Sequence, residues 1–191
     1  MELHITENHL KILTLFTHGY FNEYYIREVY SKVNIGLQTA QRILDDLEKK
    51  GILSSHVKGK IRNFKLKNNQ IAREFIILTE QYKKIILLKE HLVLKEIVEK
   101  LFEYIHGPSG IFGSYAKGTA DANSDLDIFI IGKCDTSKID QISTYYSIPI
   151  NVIRFPSEIL NKDFYKDNLM KEILNNHVLL TQQDEFVRKV L

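Results

Sequence analysis

Residues 110–131 read GIFGSYAKGTADANSDLDIFII. Ile111-Phe112 is a short apolar run that stops at Gly113-Ser114. A loop of small and polar residues follows, and Asp125-Leu126-Asp127 then opens the apolar run Ile128–Ile131, which predicts a buried strand. Side chains alternate along a strand, so Asp125 and Asp127 face the same side, about 7 Å apart along the backbone. Two like charges so placed repel each other, and a cation between them relieves the repulsion. Mg²⁺ takes hard oxygen ligands and is often held by one or two carboxylates together with substrate phosphates. Gly113 lets the backbone approach a ligand closely. The N–H groups after it, with the Ser114 hydroxyl, suit phosphate oxygens, and Lys117 is within reach of the same charge. The pair Gly113 and Gly118 echoes a P-loop, but Lys117 precedes the second glycine where a P-loop needs it to follow.

The order Gly113-Ser114, ten residues (115–124), then Asp125-x-Asp127, with Ser124 before the first Asp, resembles the nucleotidyltransferase motif of the DNA polymerase β superfamily. In particular it resembles the minimal nucleotidyltransferases of prokaryotes. The resemblance covers roughly residues 90–190, and the closing KEILNNHVLLTQQDEFVRKVL resembles the family's last helix, strand and terminal helix. It implies an α/β domain whose mixed sheet is flanked by helices. It also implies transfer of a nucleoside monophosphate from ATP or another NTP to a hydroxyl, with Mg²⁺ or Mn²⁺ on Asp125 and Asp127. Phosphate contacts would come from Gly113, Ser114, Lys117 and Ser124. The acceptor could be a Tyr, Ser or Thr of a partner protein, as in antitoxins that modify a partner toxin. A third carboxylate is expected on a later strand, here Ile148–Phe155, after a helix over Thr136–Tyr146. The matching position is Asn151, which offers a carbonyl oxygen but neither a charge nor a proton acceptor. Losing a general base costs around 10²–10⁴-fold in rate. The chain could thus be active through another carboxylate (Asp121, Asp140 or Glu158), weakly active, or a nucleotide binder only.

Upstream, apolar residues at helical spacing predict helices over His9–His18, Glu23–Lys32 and Leu37–Lys50, with a turn at Asn34-Ile35-Gly36 and a stop at Gly51. Strands are expected over Ile52–Val57 and Ile61–Lys67, joined at Lys58-Gly59-Lys60. Seven bases and no acid fall between residues 49 and 67, and residues 1–67 carry eleven Lys/Arg against seven Asp/Glu. A local cationic stripe suggests a polyanion; it could equally be a hairpin whose lysines protect its edges. Three helices followed by a basic hairpin resemble a winged helix-turn-helix domain over roughly residues 7–67. That resemblance implies duplex DNA as partner, with Gln38, Thr39, Gln41 and Arg42 of the third helix facing bases and Lys58, Lys60 and Arg62 neutralising phosphates.

The resulting organisation is α+β: a winged helix domain over 1–67, a linker helix over 68–89 that could also pair two chains, and the nucleotidyltransferase domain over 90–191. Helices are expected over Ile71–Lys89 and Leu92–Ile105. The chain is 191 residues long, 44% hydrophobic and 26% charged with a net charge of +2, which suits a globular core. Its single cysteine, Cys134, excludes an internal disulfide framework. The seven histidines lack metal-ligand spacing. No apolar run reaches the roughly 18 residues of a membrane span, and the first residues do not read as a signal peptide; a cytoplasmic location is expected. Two functions remain: a Mg²⁺-dependent nucleotidyltransferase carrying a DNA-binding domain, or a DNA-binding regulator whose degenerate transferase domain binds nucleotide.

Overall fold

The computed structural model describes residues 4–160 and 166–191. The architecture is mixed α+β and forms two compact units, one ending at Thr79 and the other running from Glu80 to Val190.

In the first unit, helices α1 (Glu7–Thr17), α2 (Ile26–Val33) and α3 (Leu37–Lys49) turn Ile12, Leu13, Phe16, Val29, Ile43, Leu44 and Leu47 inward. Strands β1 (Tyr24–Tyr25), β2 (Leu53–Lys58) and β3 (Ile61–Leu66) form an antiparallel sheet in the order β1-β3-β2. Buried Leu53 and Phe64 close the core from the sheet side. The hairpin turns at Gly59, whose φ of +66° suits a residue without Cβ. The expected second helix starts late. Tyr24 pairs with Phe64 as a strand residue, and the Tyr25 N–H donates to the Glu28 carboxylate (3.0 Å), which makes Tyr25 the cap of a helix beginning at Ile26.

Helix α1 starts at Glu7 because Thr6 caps it through His9. The Thr6 N–H donates to His9 Nδ1 (3.2 Å), and Thr6 Oγ1 lies 2.7 Å from the same nitrogen. His9 Nε2 lies 3.1 Å from Asp46 of α3. Nδ1 therefore accepts and Nε2 donates, which is the neutral imidazole. Burial in turn pushes the His9 pKa below its usual 6.5.

The second unit begins within α4 (Gln70–Glu90), followed by α5 (Leu92–Leu101). The expected helix to Ile105 stops at Leu101, because Ile105–His106 is strand β4, paired with β7 (Lys133–Cys134). Next come β5 (Ser109–Phe112), α6 (Gly113–Lys117), β6 (Leu126–Ile131), α7 (Thr136–Tyr146), β8 (Ile150–Phe155), α8 (Asn168–Asn175), β9 (Val178–Thr181) and α9 (Gln183–Val190). The main sheet runs β8-β6-β5-β9, with β6 and β8 parallel and the other pairs antiparallel. Strand β6 is central and buried on both faces. Ile128 and Ile130 meet Ile97, Val98 and Leu101 of α5 on one side. Phe129 meets Phe112 and Phe186 of α9 on the other, with ring centroids 6.5 and 6.1 Å away. Among the described residues, no helix is long and apolar enough to cross a membrane.

The neutral state of His9 has a consequence for acid stability. The unfolded chain binds the proton more readily, so this contribution is complete above the unfolded pKa of about 6.5 and is lost as pH falls through the lower folded value. The urea midpoint should fall between about pH 7 and about pH 5, and fall less in His9→Gln. Equal falls in the two chains would remove His9 as a source.

Candidate active site

Three strand ends meet at one edge of the main sheet. Phe112, the last residue of β5, pairs with Asp127 of β6, and Asp127 pairs with Asn151 of β8. The Leu126 N–H donates to the Pro149 carbonyl (2.8 Å), which carries the parallel pairing to its first residues. This register, rather than nearness in sequence, brings Asn151 to the two acids. Its Nδ2 donates to Asp127 Oδ1 (3.0 Å) and faces Asp125 Oδ2 (3.4 Å). The amide N–H presents partial positive charge to two carboxylates that would otherwise repel each other.

Gly113 follows β5 with φ +68°, and a Cβ built there would lie 2.1 Å from Asp127 Oδ2. The Asp127 carboxylate thus occupies the space a side chain at 113 would fill. Ser114 comes next, in the first turn of the five-residue α6. Beneath the edge lies a row of rings: Phe112 on Phe129, Phe129 on Phe186, and Phe186 on His177. They make the floor from which Gly113 and Asp127 rise.

Other sequence-predicted residues lie elsewhere or are already engaged. The Ser124 hydroxyl donates to Asp121 Oδ1 (3.1 Å) and accepts from the Asp121 N–H (2.9 Å). Asn123 N–H also donates to Asp121 Oδ1 (2.9 Å). Asp121 and Ser124 therefore build the turn that delivers Asp125. Lys117 points its ammonium to Glu172 of α8, 3.7 Å away. Asp140 lies exposed mid-way along α7, and Glu158 in the short 3-10 turn Ser157–Leu160. Among the described residues, no third acid, His or Cys joins Asp125 and Asp127 in a metal-binding group. The donor set is an exposed carboxylate, a half-buried one and an exposed amide. That set fits a hard divalent ion which keeps waters and takes phosphate oxygens from substrate.

The basic segment of the first unit is partly self-neutralised. Arg62 donates to Asp45 (2.8 Å), to Glu48 and to Ser55 Oγ (2.9 Å), and lies over the Phe64 ring at 4.6 Å. Gln41 donates to Asp45 (2.9 Å). The Gln41 hydrogen bond, with Arg62 behind it, holds the Asp45 carboxyl below its usual range, and the Ser55 hydroxyl does most to hold Glu48 low. Lys50 pairs with Asp46, and Lys65 with Glu23 (3.7 Å). Among the described residues, Lys49, Lys58, Lys60 and Lys67 have no ion pair. Gln38 and Arg42 are exposed on α3, where they line a groove of about 770 Å³ with Arg27 of α2. Thr39 is half-buried on the same helix. The sequence reading did not single out Arg27; only the packing of α2 on α3 brings it to that groove.

Residues 93–187 match the family model described as a nucleotidyltransferase domain. A protein of Methanocaldococcus jannaschii, provisionally named a protein adenylyltransferase, is 33% identical over 82 residues, covering 39% of this chain and 82% of that protein. This chain belongs to the nucleotidyltransferase family. No solved structure matches it. Within this family member, the Gly-Ser turn and the Asp pair lie at one sheet edge.

The contact between Gly113 and Asp127 generates a test. Gly113→Ala puts a Cβ on a left-handed backbone, which costs about 1–2 kcal/mol, and pushes the Asp127 carboxylate aside. The fold should survive with a lower Tm. Mg²⁺-dependent NTP binding, followed by calorimetry, should fall on the order of tenfold or more, the effect of about 1.4 kcal/mol. Unchanged binding would detach Asp127 from the nucleotide site.

Proposed function

We propose that the second unit transfers a nucleoside monophosphate from ATP or another NTP to a hydroxyl group, that of a partner protein's Tyr, Ser or Thr. The observation that carries this reading is the strand register that sets Gly113-Ser114, Asp125, Asp127 and Asn151 at one edge. Membership of the nucleotidyltransferase family supports nucleotidyl transfer in general, and the relative's name supports a protein acceptor. Asp125 and Asp127 would hold Mg²⁺ or Mn²⁺, which when bound offsets the charge of the triphosphate. The backbone N–H groups after Gly113, with the Ser114 hydroxyl, bind phosphate oxygens. Lys117 joins them only by leaving Glu172. The acceptor oxygen bonds to the α-phosphorus, the bond to pyrophosphate breaks, and the hydroxyl proton leaves. Asn151 has no basic atom to take that proton.

A second reading is favoured by the same residue. Asn151 stands where the resemblance places the third carboxylate, and its amide already satisfies both acids. On this reading the domain binds nucleotide and transfers it poorly, and the protein is a DNA-binding regulator. Asn151→Asp separates the two. Asn and Asp have nearly the same shape, so the fold should hold. With labelled ATP, Mg²⁺ and cell extract, a gain of label transfer on the order of 10²-fold or more would mark the natural chain as a binder. Little change in an already active chain would discard the regulator reading. Asp125→Ala with Asp127→Ala should abolish Mg²⁺-dependent ATP binding in either case.

We infer further that the first unit is a winged helix that binds duplex DNA. The order of three helices and a hairpin, the exposed Gln38 and Arg42, and the unpaired Lys58 and Lys60 support this. Arg62 and Gln41 are reassigned from DNA contact to internal support, because Asp45 and Glu48 hold them. With Lys49, Lys58, Lys60 and Lys67 as the phosphate contacts, log affinity against log salt should slope at roughly −3.6. Replacing Lys58 and Lys60 with Gln should bring the slope to roughly −1.8. Arg62→Gln should lower stability and leave the slope alone. No affinity for duplex DNA at low salt would end this reading.

A further inference from the structure

Strand β8 lies at the outer edge of the main sheet, and among the described residues β6 is its only strand neighbour. The Leu126 N–H donates to the Pro149 carbonyl (2.8 Å) and the Gly132 N–H to the Phe155 carbonyl (3.0 Å), one at each end of this parallel pairing. Successive residues of a strand turn their backbone groups to alternate sides, so Asn151, Ile153 and Phe155 direct theirs to β6. The N–H and C=O groups of Ile150, Val152 and Arg154 point the other way, out of the sheet's edge. The side chains alternate between faces: Ile150 and Val152 pack on the core of the second unit, while Asn151 stands on the face of Asp127. No proline or lysine interrupts Ile150–Phe155, and its register with β6 carries no bulge, so the usual devices that blunt an edge strand are missing from it. Its one charged side chain, Arg154, is exposed and has no ion pair among the described residues.

A chain laid along this edge in extended form takes up the free backbone groups as one more strand, which is a recurring mode of peptide recognition. Its residue opposite Asn151 extends the row Phe112, Asp127, Asn151 by one place, with the side chain on the face of the acids. Neighbouring strands lie about 4.8 Å apart, so the Cα of that residue stands about 10 Å from that of Asp127. A Ser or Thr hydroxyl, one bond from its Cβ, falls short of that span. A Tyr carries its hydroxyl at the far end of the ring and covers most of it. The residue three places along lies opposite Arg154 and projects to the other face, where a carboxylate meets the guanidinium.

We propose that the free edge of β8 is where the acceptor docks: an extended segment of the partner protein pairs with Ile150, Val152 and Arg154, sets a Tyr opposite Asn151, and sets an acid three residues away opposite Arg154. This rests on the transfer reading above and narrows its acceptor to a Tyr on a strand-forming segment. In the transfer the phenol oxygen bonds to the α-phosphorus, the bond to pyrophosphate breaks, and the phenol proton passes to water at this exposed edge. The register that sets Asn151 beside the acids thus also selects which partner residue reaches them.

The test uses the full chain and synthetic peptides of Thr and Val, matched to the 6 residues of β8 and carrying Tyr and Glu three places apart in either order. Added peptide should slow amide exchange at Val152 and Arg154 and change it little at Asn151 and Ile153, whose N–H groups already face β6. Val152→Pro removes one outward donor, and the extended backbone that proline asks of the residue before it is the one Asn151 already has. Pairing with β6 and Mg²⁺-dependent ATP binding should persist, while peptide affinity should fall on the order of tenfold or more. Val152→Ala keeps the donor and should bind peptide as the natural chain does. With labelled ATP and Mg²⁺, the Tyr peptide should take label, and its Ser and Phe counterparts should bind without taking it. Alternating protection with no label on the Tyr peptide supports the docking edge and counts against the transfer reading instead. Unchanged exchange at Val152 and Arg154 with both peptides overturns the proposal, as does equal label on the Ser peptide. Protection of these amides without peptide, fading on dilution, also overturns it, because the edge then belongs to a second copy of the chain. If Val152→Pro does not fold, the exchange pattern of the natural chain decides.

Discussion

The parallel pairing of β6 with β8, in the register Asp127 to Asn151, is the constraint on which the candidate site depends. A shift of one residue would turn Asn151 to the opposite face, since strand side chains alternate, and leave the two acids facing each other without an amide between them. The register is held by what lies behind it. Ile128, Phe129 and Ile130 are fully buried, and each would be misplaced by such a slip. Placement of the polar edge is thus a by-product of core packing, in which a buried apolar side chain contributes roughly 1.5–3 kcal/mol. Gly113 completes the arrangement from β5 by leaving room for the Asp127 carboxylate.

The first unit shows how ion pairing changes the meaning of a charged segment. Seven bases between residues 49 and 67 read as a stripe open to a polyanion. Three of them are met by acids that lie just outside that window or far from it. Asp45, Asp46 and Glu48 come from the last turns of α3, one helical face away, and Glu23 from the start of the sheet. Arg62 is the clearest case: its fork engages two carboxylates and a hydroxyl while its plane covers Phe64. It ties β3 to α3. What remains for a ligand is a smaller set at the hairpin tip and the helix ends.

Burial of charge is managed differently in the two units. His9 stays neutral because Thr6 donates to it, and its partner Asp46 has Lys50 as well. His177 has a carbonyl pair on one nitrogen and an already partnered carboxylate near the other. Both histidines are helix-end residues with local partners. At His9 the count of donors and acceptors around the ring sets its protonation state, and burial lowers the affinity of both rings for a second proton.

The sequence by itself determined the local elements and the motif. Residues 128–131 read as a buried strand and lie in one that runs Leu126–Ile131; Thr136–Tyr146 reads as a helix and is one; Gly113-Ser114 and the Asp pair were legible from residue type and spacing. These features are local, set by periodicity of two or 3.6 residues and by glycine's lack of a side chain. The short strands Tyr24–Tyr25 and Ile105–His106 were not legible, because two residues carry no period and are strands only through distant partners, Phe64 and Cys134 among them. The tertiary structure alone decided that Asn151 bonds both acids, that Asp121 and Ser124 are spent on a turn, and that Lys117, Gln41 and Arg62 have partners inside the chain. Each of these is a contact between groups whose separation depends on how elements pack. A side chain's chemistry is written in its residue type, but whether that chemistry is free to act depends on which neighbours the fold brings within about 3 Å of it.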